Sequence, residues 1–197
     1  IIKDRLWFWG SYGKQDLRIV RLNQTRDKTL LKDYSTKLNW QAASNNMFSA
    51  FWFLGQKQKF GRPNPVIGGL TEDPSHQRNQ AGASPSGLHG FLKFEDNHVF
   101  SPNFMGNVKY SYYSQGFTLT PVGGREGNEY LDEVLRVAFG SSELSQSLRP
   151  THTISADFNA FRGNHEFKCG FGWRKASVTS TTSPPGNQVR AQVNPTR

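Results

Sequence analysis

The sequence has few of the features that stabilise most soluble domains. It contains one cysteine, Cys169, so an intrachain disulfide is impossible. No apolar run approaches the roughly 18 residues of a transmembrane helix, so helical membrane spans are excluded. Only 35% of the residues are hydrophobic and 13% are aromatic, so phenylalanine, tryptophan and tyrosine carry much of the apolar content. A core built mainly on leucine, isoleucine and valine is therefore not indicated.

Motifs that carry chemistry are also missing. No histidine has the H-E-x-x-H spacing of a zinc site, and the pairs Gly68-Gly69 and Gly123-Gly124 lack the strand–turn–helix context of a phosphate-binding loop. We therefore expect no catalytic residue, no metal and no cofactor, and we expect that the chain is not an enzyme.

The formal net charge of +9 raises nucleic acid as a partner. The basic residues are dispersed, without a long lysine or arginine run, so nucleic-acid binding is not expected. Many of them flank predicted loops. They would meet the phosphates of surface lipid if the chain lies in an outer membrane, and the alternative is an ordinary solvated loop. These residues are Arg18, Arg21, Arg26, Lys28, Lys57, Lys59 and Arg62.

Alternation of apolar and polar residues is the main positive signal, and it is clearest over 151–175. A period of two on both sides of Arg162-Gly163-Asn164 predicts a β-hairpin with one apolar and one polar face. Two registers keep the faces matched. A loop of Arg162-Gly163 places Asp157 opposite Lys168, whereas a loop of Gly163-Asn164 suits a type II′ turn. The sequence does not choose between them.

Two further hairpins follow the same pattern. One covers about 89–117 and turns at 101–104, with a bulge predicted near Asp96, where the alternation weakens. The other covers about 36–54 and turns at 44–46. Together with the hairpin over 151–175, they indicate consecutive antiparallel strands.

The connections between strands fall into two classes. Tight turns are predicted at 44–46, 101–104 and 162–164. Long polar loops are predicted at 56–88 and 118–150, and the second contains either one helical turn or a short strand at 132–140. The link at 13–35 is intermediate and is expected to extend both flanking strands. Short turns along one edge and long extracellular loops along the other are typical of outer-membrane barrels.

In such a barrel, alternate residues of each strand face the lipid and the lumen. The residues predicted to face lipid are Leu38, Trp40, Val108, Tyr110, Tyr112, Ile154, Phe158, Phe167, Phe171 and Trp173. The residues predicted to face the lumen are Lys37, Asn39, Asn107, Lys109, Ser111, Ser155, Asp157, Asn159, Glu166 and Lys168. The first strand, 6–12, is apolar on both faces, so its orientation stays open. A sugar-binding β-protein would instead gather its aromatic residues in one cleft.

Three sequence segments resemble the Oar-like family of TonB-dependent receptors, in which a carboxypeptidase-regulatory-like domain and a plug precede the barrel. They are Ile2-Lys3-Asp4-Arg5-Leu6-Trp7-Phe8-Trp9-Gly10-Ser11-Tyr12, Glu95-Asp96-Asn97-His98-Val99-Phe100-Ser101-Pro102-Asn103-Phe104 and Gly163-Asn164-His165-Glu166-Phe167-Lys168-Cys169-Gly170-Phe171-Gly172. The first segment resembles the opening of the barrel, which implies a piece from its N-terminal part. The chain departs from the family where Gly13-Lys14 replaces an acidic residue, and where Phe167 and Cys169 conservatively replace commoner residues.

The predicted fold is all-β, an antiparallel meander of hairpins in which about six strands form part of a large transmembrane barrel. Residues 1–197 would be one partial barrel domain. The resemblance implies about 22 strands in the whole barrel, the outer membrane of a Gram-negative bacterium, and energised uptake of a large or scarce solute. Expected partners are membrane lipid, an unknown solute, and the TonB complex through N-terminal regions outside this sequence. The alternative is a surface adhesin or a carbohydrate-binding β-domain.

Overall fold

The structure, a computed structural model, describes residues 3–20, 26–62, 73–84, 89–132, 134–135, 137–187 and 190–193. Within these residues the chain forms twelve β-strands and one 3₁₀ turn, Pro74–His76. The predicted all-β fold of antiparallel hairpins is therefore confirmed. None of the described segments is a helix long and apolar enough to cross a membrane.

The main sheet is an antiparallel meander of nine strands. Its strands are β1 (Leu6–Val20), β2 (Arg26–Ala43), β3 (Asn46–Arg62), β4 (Arg78–Ala83), β5 (Gly90–Ser101), β6 (Phe104–Pro121), β9 (Leu144–Arg162), β10 (His165–Ala176) and β11 (Thr179–Ser183). They fill seven positions, because β4 and β5 share the place between β3 and β6, and β10 and β11 both pair with β9. This exceeds the predicted number of strands. In the described part of the chain, β1 and the line of β10 and β11 are the edges, so the sheet is not a closed barrel.

Tight turns join the strands at one end of the main sheet, as predicted. Their loop residues are Ser44-Asn45, Pro102-Asn103 and Gly163-Asn164. The third turn resolves the register that the sequence left open. Gly163 has a φ of 59° and Asn164 has no positive φ, which is the pattern of a type II′ turn. Asp157 consequently lies opposite Gly170 and not opposite Lys168.

A bulge precedes the second tight turn, between Val99 and Ser101. The sequence predicted a bulge near Asp96, and this is wrong, because Asp96 pairs in regular register with Phe48 and Val108. The alternation weakens at this point because a carboxylate lies on the same face as the two apolar residues opposite it.

Pro150 explains why the edge next to β9 is divided into β10 and β11. Its carbonyl oxygen accepts a hydrogen bond from the Ser177 amide at 3.1 Å. In an antiparallel pair the N–H and C=O of one residue point to the same neighbour, so the N–H that proline lacks is missing on this side. The ladder ends at Ala176 and resumes at Thr179 in an unchanged register.

At the other end, next to the long connections, the strands extend further than predicted. Within 56–88, β3 continues to Arg62 and β4 forms a separate strand; within 118–150, β6 continues to Pro121 and β9 begins at Leu144. The loop boundaries at 56–88 and 118–150 therefore need correction. These strand ends are rich in serine, threonine, glutamine, lysine and arginine, with few apolar residues such as Phe60, Leu119 and Leu148, so the predicted loops covered them although the backbone ladder continues. The expected extension of the strands over 13–35 is confirmed by pairing up to Val20 and Arg26.

A second, three-stranded sheet lies among the long connections. It contains β7 (Glu129–Asp132), β8 (Val137–Gly140) and β12 (Arg190–Val193). Of the two alternatives for 132–140, the short strand is confirmed. The 3₁₀ turn binds to this region, since Ser75 accepts a hydrogen bond from the Gly140 amide through Oγ at 3.0 Å and another from the Gly123 amide through its carbonyl at 2.9 Å. The long connections are thus folded together.

The buried residues of the described part of the chain are mostly polar. Besides Pro121 and Pro185, only Leu119 and Ala138 are buried apolar residues there, whereas nine polar or charged residues are buried. The innermost polar contact joins His76 Nε2 to Glu129 Oε1 at 2.8 Å. Large apolar side chains of the main sheet are exposed, and the buried residues lie among the long connections and at the strand ends next to them.

Candidate functional site: the two faces of the main sheet

The register assigns each residue of the main sheet to one of two faces, because directly opposed residues of neighbouring strands lie on the same side. One row is apolar across all seven positions: Phe8, Leu38, Ala50, Phe94, Tyr110, Ile154 and Trp173. We call this side the apolar face. The next row is mostly polar and belongs to the opposite side, which we call the polar face: Trp7, Asn39, Ser49, Glu95, Lys109, Ser155 and Gly172.

The two sets of residues predicted from alternation lie on opposite faces. All ten residues predicted to face lipid are on the apolar face, and all ten predicted to face the lumen are on the polar face. The first strand, whose orientation the sequence left open, places Leu6, Phe8 and Tyr12 on the apolar face and Trp7 and Trp9 on the polar face. The sequence did not predict that two tryptophans lie on the polar face.

Aromatic side chains mark both ends of the apolar face. At the tight-turn edge, the ring centroids of Phe100 and Phe104 are 5.0 Å apart, and Phe104 stacks at 6.1 Å on Phe158. Towards the long connections, the rings of Tyr12 and Tyr34 lie 5.1 Å apart. Outer-membrane barrels have such aromatic girdles at both membrane interfaces.

The height of the apolar face matches that of a membrane. Along β6 the face runs from Phe104 to Ser114. At about 3.4 Å per residue and a strand tilt of about 40°, this length corresponds to roughly 25 Å of height. The outward apolar band of an outer-membrane barrel is also about 25 Å tall.

The apolar face is exposed. Phe8 and Phe171 are each 64% accessible, and many other large apolar residues on this face are also exposed. Monomeric soluble proteins rarely expose contiguous apolar patches beyond a few hundred Å². This surface therefore requires an apolar partner.

One polar cluster interrupts the apolar face near the tight-turn edge. Asn46 Nδ2 donates a hydrogen bond to Asp96 Oδ1 at 2.7 Å and lies 2.9 Å from His98 Nδ1. The proximity of His98 to Asp96 is visible in the sequence, but their contact with Asn46 is not, because Asn46 and His98 are 52 positions apart and only the pairing of β3 with β5 brings them together.

The polar face carries a hydrogen-bonded network. Asn107 Nδ2 donates to Glu95 Oε1 at 2.8 Å and to Asn97 Oδ1 at 2.6 Å, and Lys93 Nζ lies 2.6 Å from Glu95 Oε2. These groups form hydrogen bonds with one another, and their remaining donors and acceptors need water or another polar partner. The polar face therefore suits a hydrated environment.

A cavity of about 430 Å³ opens where β4 and β5 diverge between β3 and β6. Its lining mixes amide, cationic and aromatic side chains, among them Gln58, Gln80, Tyr113, Gln115 and Arg149. A pocket of this volume and mixed polarity is large enough for a small solute. Sequence reasoning did not find this cavity, because the divergence of β4 and β5 leaves no local sequence signal.

Basic residues lie on the apolar face beyond the tyrosine pair. Lys14 is directly opposite Lys32, and Arg18 is directly opposite Lys28. Arg18 also bonds to Asp16, which holds the pKa of the Asp16 carboxyl below its ordinary value. The same bond raises the pKa of the Arg18 guanidinium.

The remaining basic residues that were predicted to meet lipid phosphates are placed differently. Lys57 and Lys59 lie on the polar face, where Lys59 Nζ is 2.8 Å from Asp27 Oδ2. Arg62 donates a hydrogen bond to Gln80 at 2.7 Å. Arg21 and the side chain of Arg26 lie outside the described residues.

A metal site is not assembled in the described residues. No set of three or more histidine, cysteine, aspartate or glutamate side chains there could hold a metal ion. Cys169 is exposed on the apolar face, opposite Phe158. The geometry is that of a surface with two faces. Comparison of the chain with protein-family models, with curated proteins and with solved structures finds no match.

Proposed function

We propose that the chain forms part of the wall of a β-barrel in the outer membrane of a Gram-negative bacterium, with the apolar face against lipid and the polar face towards the lumen. One observation carries this proposal. The apolar face is exposed, crosses all seven strand positions, and has the height and the aromatic ends of a membrane-embedded band.

The distribution of aromatic residues favours a barrel over a sugar-binding domain. A binding cleft would gather its aromatic residues on a few strands. On the apolar face they occur at every strand position, for example Phe8, Tyr34, Phe48, Phe94, Tyr110, Phe158 and Phe171. The edges at β1 and β10 would pair with further strands of the barrel, which a sheet of this kind needs in a membrane.

Uptake of a large or scarce solute is the proposed activity of the whole barrel. The resemblance of three sequence segments to Oar-like TonB-dependent receptors supports this class of activity, and it implies energy coupling through the TonB complex. In this proposal the tight turns face the periplasm and the long connections face the exterior. The cavity between β3, β4 and β6 lies towards the exterior end and is a candidate solute contact. The proposed role is transport without catalysis.

The single cysteine provides a direct test of the lipid-facing assignment. A fluorophore attached to Cys169, on the apolar face, should be quenched by brominated lipid after the chain is folded into vesicles. The matched control carries Cys169→Ser together with Lys168→Cys, which moves the label by one residue to the polar face. The control label should resist quenching by brominated lipid. Equal quenching at both positions, or none at Cys169, would refute the proposal.

A further inference from the structure

We infer that the surface beyond the tyrosine pair binds the phosphate groups of an anionic membrane lipid. The inference rests on the proposed function, because only an apolar face embedded in a membrane brings this surface to the headgroup layer. We call the surface the basic cluster; it consists of Lys14, Arg18, Lys28 and Lys32 around Asp16.

The basic cluster is built from like-charged cross-strand pairs. Lys14 opposes Lys32 and Arg18 opposes Lys28 on neighbouring strands. Directly opposed like charges destabilise a sheet, because their side chains lie only about 5 Å apart at Cβ. An anion bound between the members of a pair would reverse the sign of this interaction.

Asp16 is the only carboxylate within the cluster, and it offsets part of the positive charge of Arg18 and Lys28. Asp16 Oδ2 lies 3.3 Å from Arg18 Nη2 and 4.0 Å from Lys28 Nζ. Lys14 and Lys32 make no ion pair within the described residues. Lys14 and Lys32, which lie next to the tyrosine pair, are therefore the members of the cluster without an ion pair in the described residues.

The position of the two lysines matches the headgroup layer. They lie two residues beyond Tyr12 and Tyr34 on the same strands and the same face. This distance is about 7 Å along the strand, and a headgroup layer is about 5–8 Å thick. Long lysine side chains keep their stems on apolar surface and their ammonium groups at the polar boundary.

The basic cluster does not merely reflect a basic composition. On the polar face at similar height, Lys57 and Lys59 are balanced by Asp27 and Asp33, and Lys59 Nζ lies 2.8 Å from Asp27 Oδ2. Excess positive charge is thus concentrated on the face that carries the apolar band. A lipid also offers acyl chains to this band, in addition to its phosphate, whereas a free phosphate ion offers only charge. We therefore assign the site to a lipid headgroup.

Vesicle flotation of the full chain tests this assignment. One set of vesicles contains phosphatidylcholine alone, and the other also contains a minority of diphosphorylated lipid A. The test variant is Lys14→Gln with Lys32→Gln. The control is Lys37→Gln with Lys57→Gln, which removes the same charge from the polar face of β2 and β3.

The wild-type chain should bind vesicles that contain lipid A more tightly than phosphatidylcholine vesicles, and added salt should weaken this preference. The test variant should lose roughly fivefold in affinity per lysine, or about 25-fold in all, and the control should keep the preference. Free inorganic phosphate should not compete.

The inference would be overturned by a loss of the preference in the control as large as in the test variant, by no loss in the test variant, or by competition from inorganic phosphate at equal phosphate concentration. If the wild-type chain floats equally with both kinds of vesicle, this inference fails and the proposed function stands. If it floats with neither, the proposed function fails, and the inference fails with it.

Discussion

Neighbouring residues of β9 face opposite ways, and this gives the sharpest test at the scale of one residue. Ile154 pairs with Tyr110 and Trp173 on the apolar face, whereas Ser155 pairs with Lys109 on the polar face. Ile154→Arg should lower the free energy of unfolding in lipid by about 2–4 kcal/mol, because hydrocarbon does not solvate a guanidinium.

Ser155→Arg is the matched comparison. It places a cation opposite Lys109, which costs up to about 1 kcal/mol in a hydrated lumen. Denaturant unfolding of the chain folded in lipid measures both variants. A penalty at Ser155 equal to or larger than that at Ile154 would contradict the assignment of faces.

Asp96 allows a prediction of the opposite sign. Its carboxylate lies on the apolar face, where it accepts a hydrogen bond from Asn46. Asp96→Asn retains an acceptor for Asn46 and removes a charge from an apolar environment, so the free energy of unfolding in lipid should rise by up to about 2 kcal/mol. Asp157→Asn on the polar face is the control, and it should give no gain. A loss of stability in Asp96→Asn would show that this carboxylate is not exposed to lipid.

Much of the residue-level assignment could be predicted from the sequence, and the exceptions have a common cause. Alternation alone separated residues such as Ile154 from Ser155, because side chains of a strand point to opposite sides with a period of two. It failed for Trp7 and Trp9, whose strand is apolar on both faces. It also failed for Asp96, because the register between β3 and β5 determines which residues oppose it. Register is a property of two strands, and a single strand does not contain it.

At the scale of the elements, the type II′ turn between β9 and β10 depends on Gly163. Its φ of 59° lies in the region that favours glycine. Gly163→Ala should lower the free energy of unfolding by about 1–2 kcal/mol, since a Cβ strains this backbone conformation.

Gly172 in β10 provides the control for the turn. A Cβ added there meets no atom within 4 Å, and its φ is not positive. Gly172→Ala should therefore leave stability unchanged or slightly raise it, because alanine loses less backbone entropy on folding. Equal effects of the two substitutions on the unfolding free energy would show that the positive φ at Gly163 does not penalise alanine.

Turns were predicted better than strand ends. The dipeptides at the tight turns, such as Gly163-Asn164, have intrinsic conformational preferences that the sequence displays directly. The ends of β3 and β9 and the whole of β4 escaped prediction because they contain few large apolar residues, so the alternation is weak there. Pairing there is maintained by backbone hydrogen bonds, which have no side-chain signature.

At the scale of the whole molecule, the described residues bury little apolar surface. Besides two prolines, Leu119 and Ala138 are the only buried apolar residues among them, and the edges of the main sheet at β1 and β10 are unpaired there. The 197-residue chain should therefore aggregate when it is expressed without detergent or lipid. Size-exclusion chromatography and thermal melting with and without a neutral detergent measure this. A monodisperse soluble species with a cooperative melt in the absence of detergent would contradict the membrane assignment.

Pro150 has a consequence for how the sheet opens. The ladder next to β9 is broken between Ala176 and Thr179, and β4 and β5 diverge at a similar height. Amide hydrogen exchange should therefore divide the sheet by height into two cooperative units. Amides of β4 and β11 should exchange with deuterium faster than those of β5 and β10, because the outer segments open without disrupting the paired strands below the break. The main sheet would then have a stable part next to the tight turns and a part next to the long connections that opens locally while the rest stays folded.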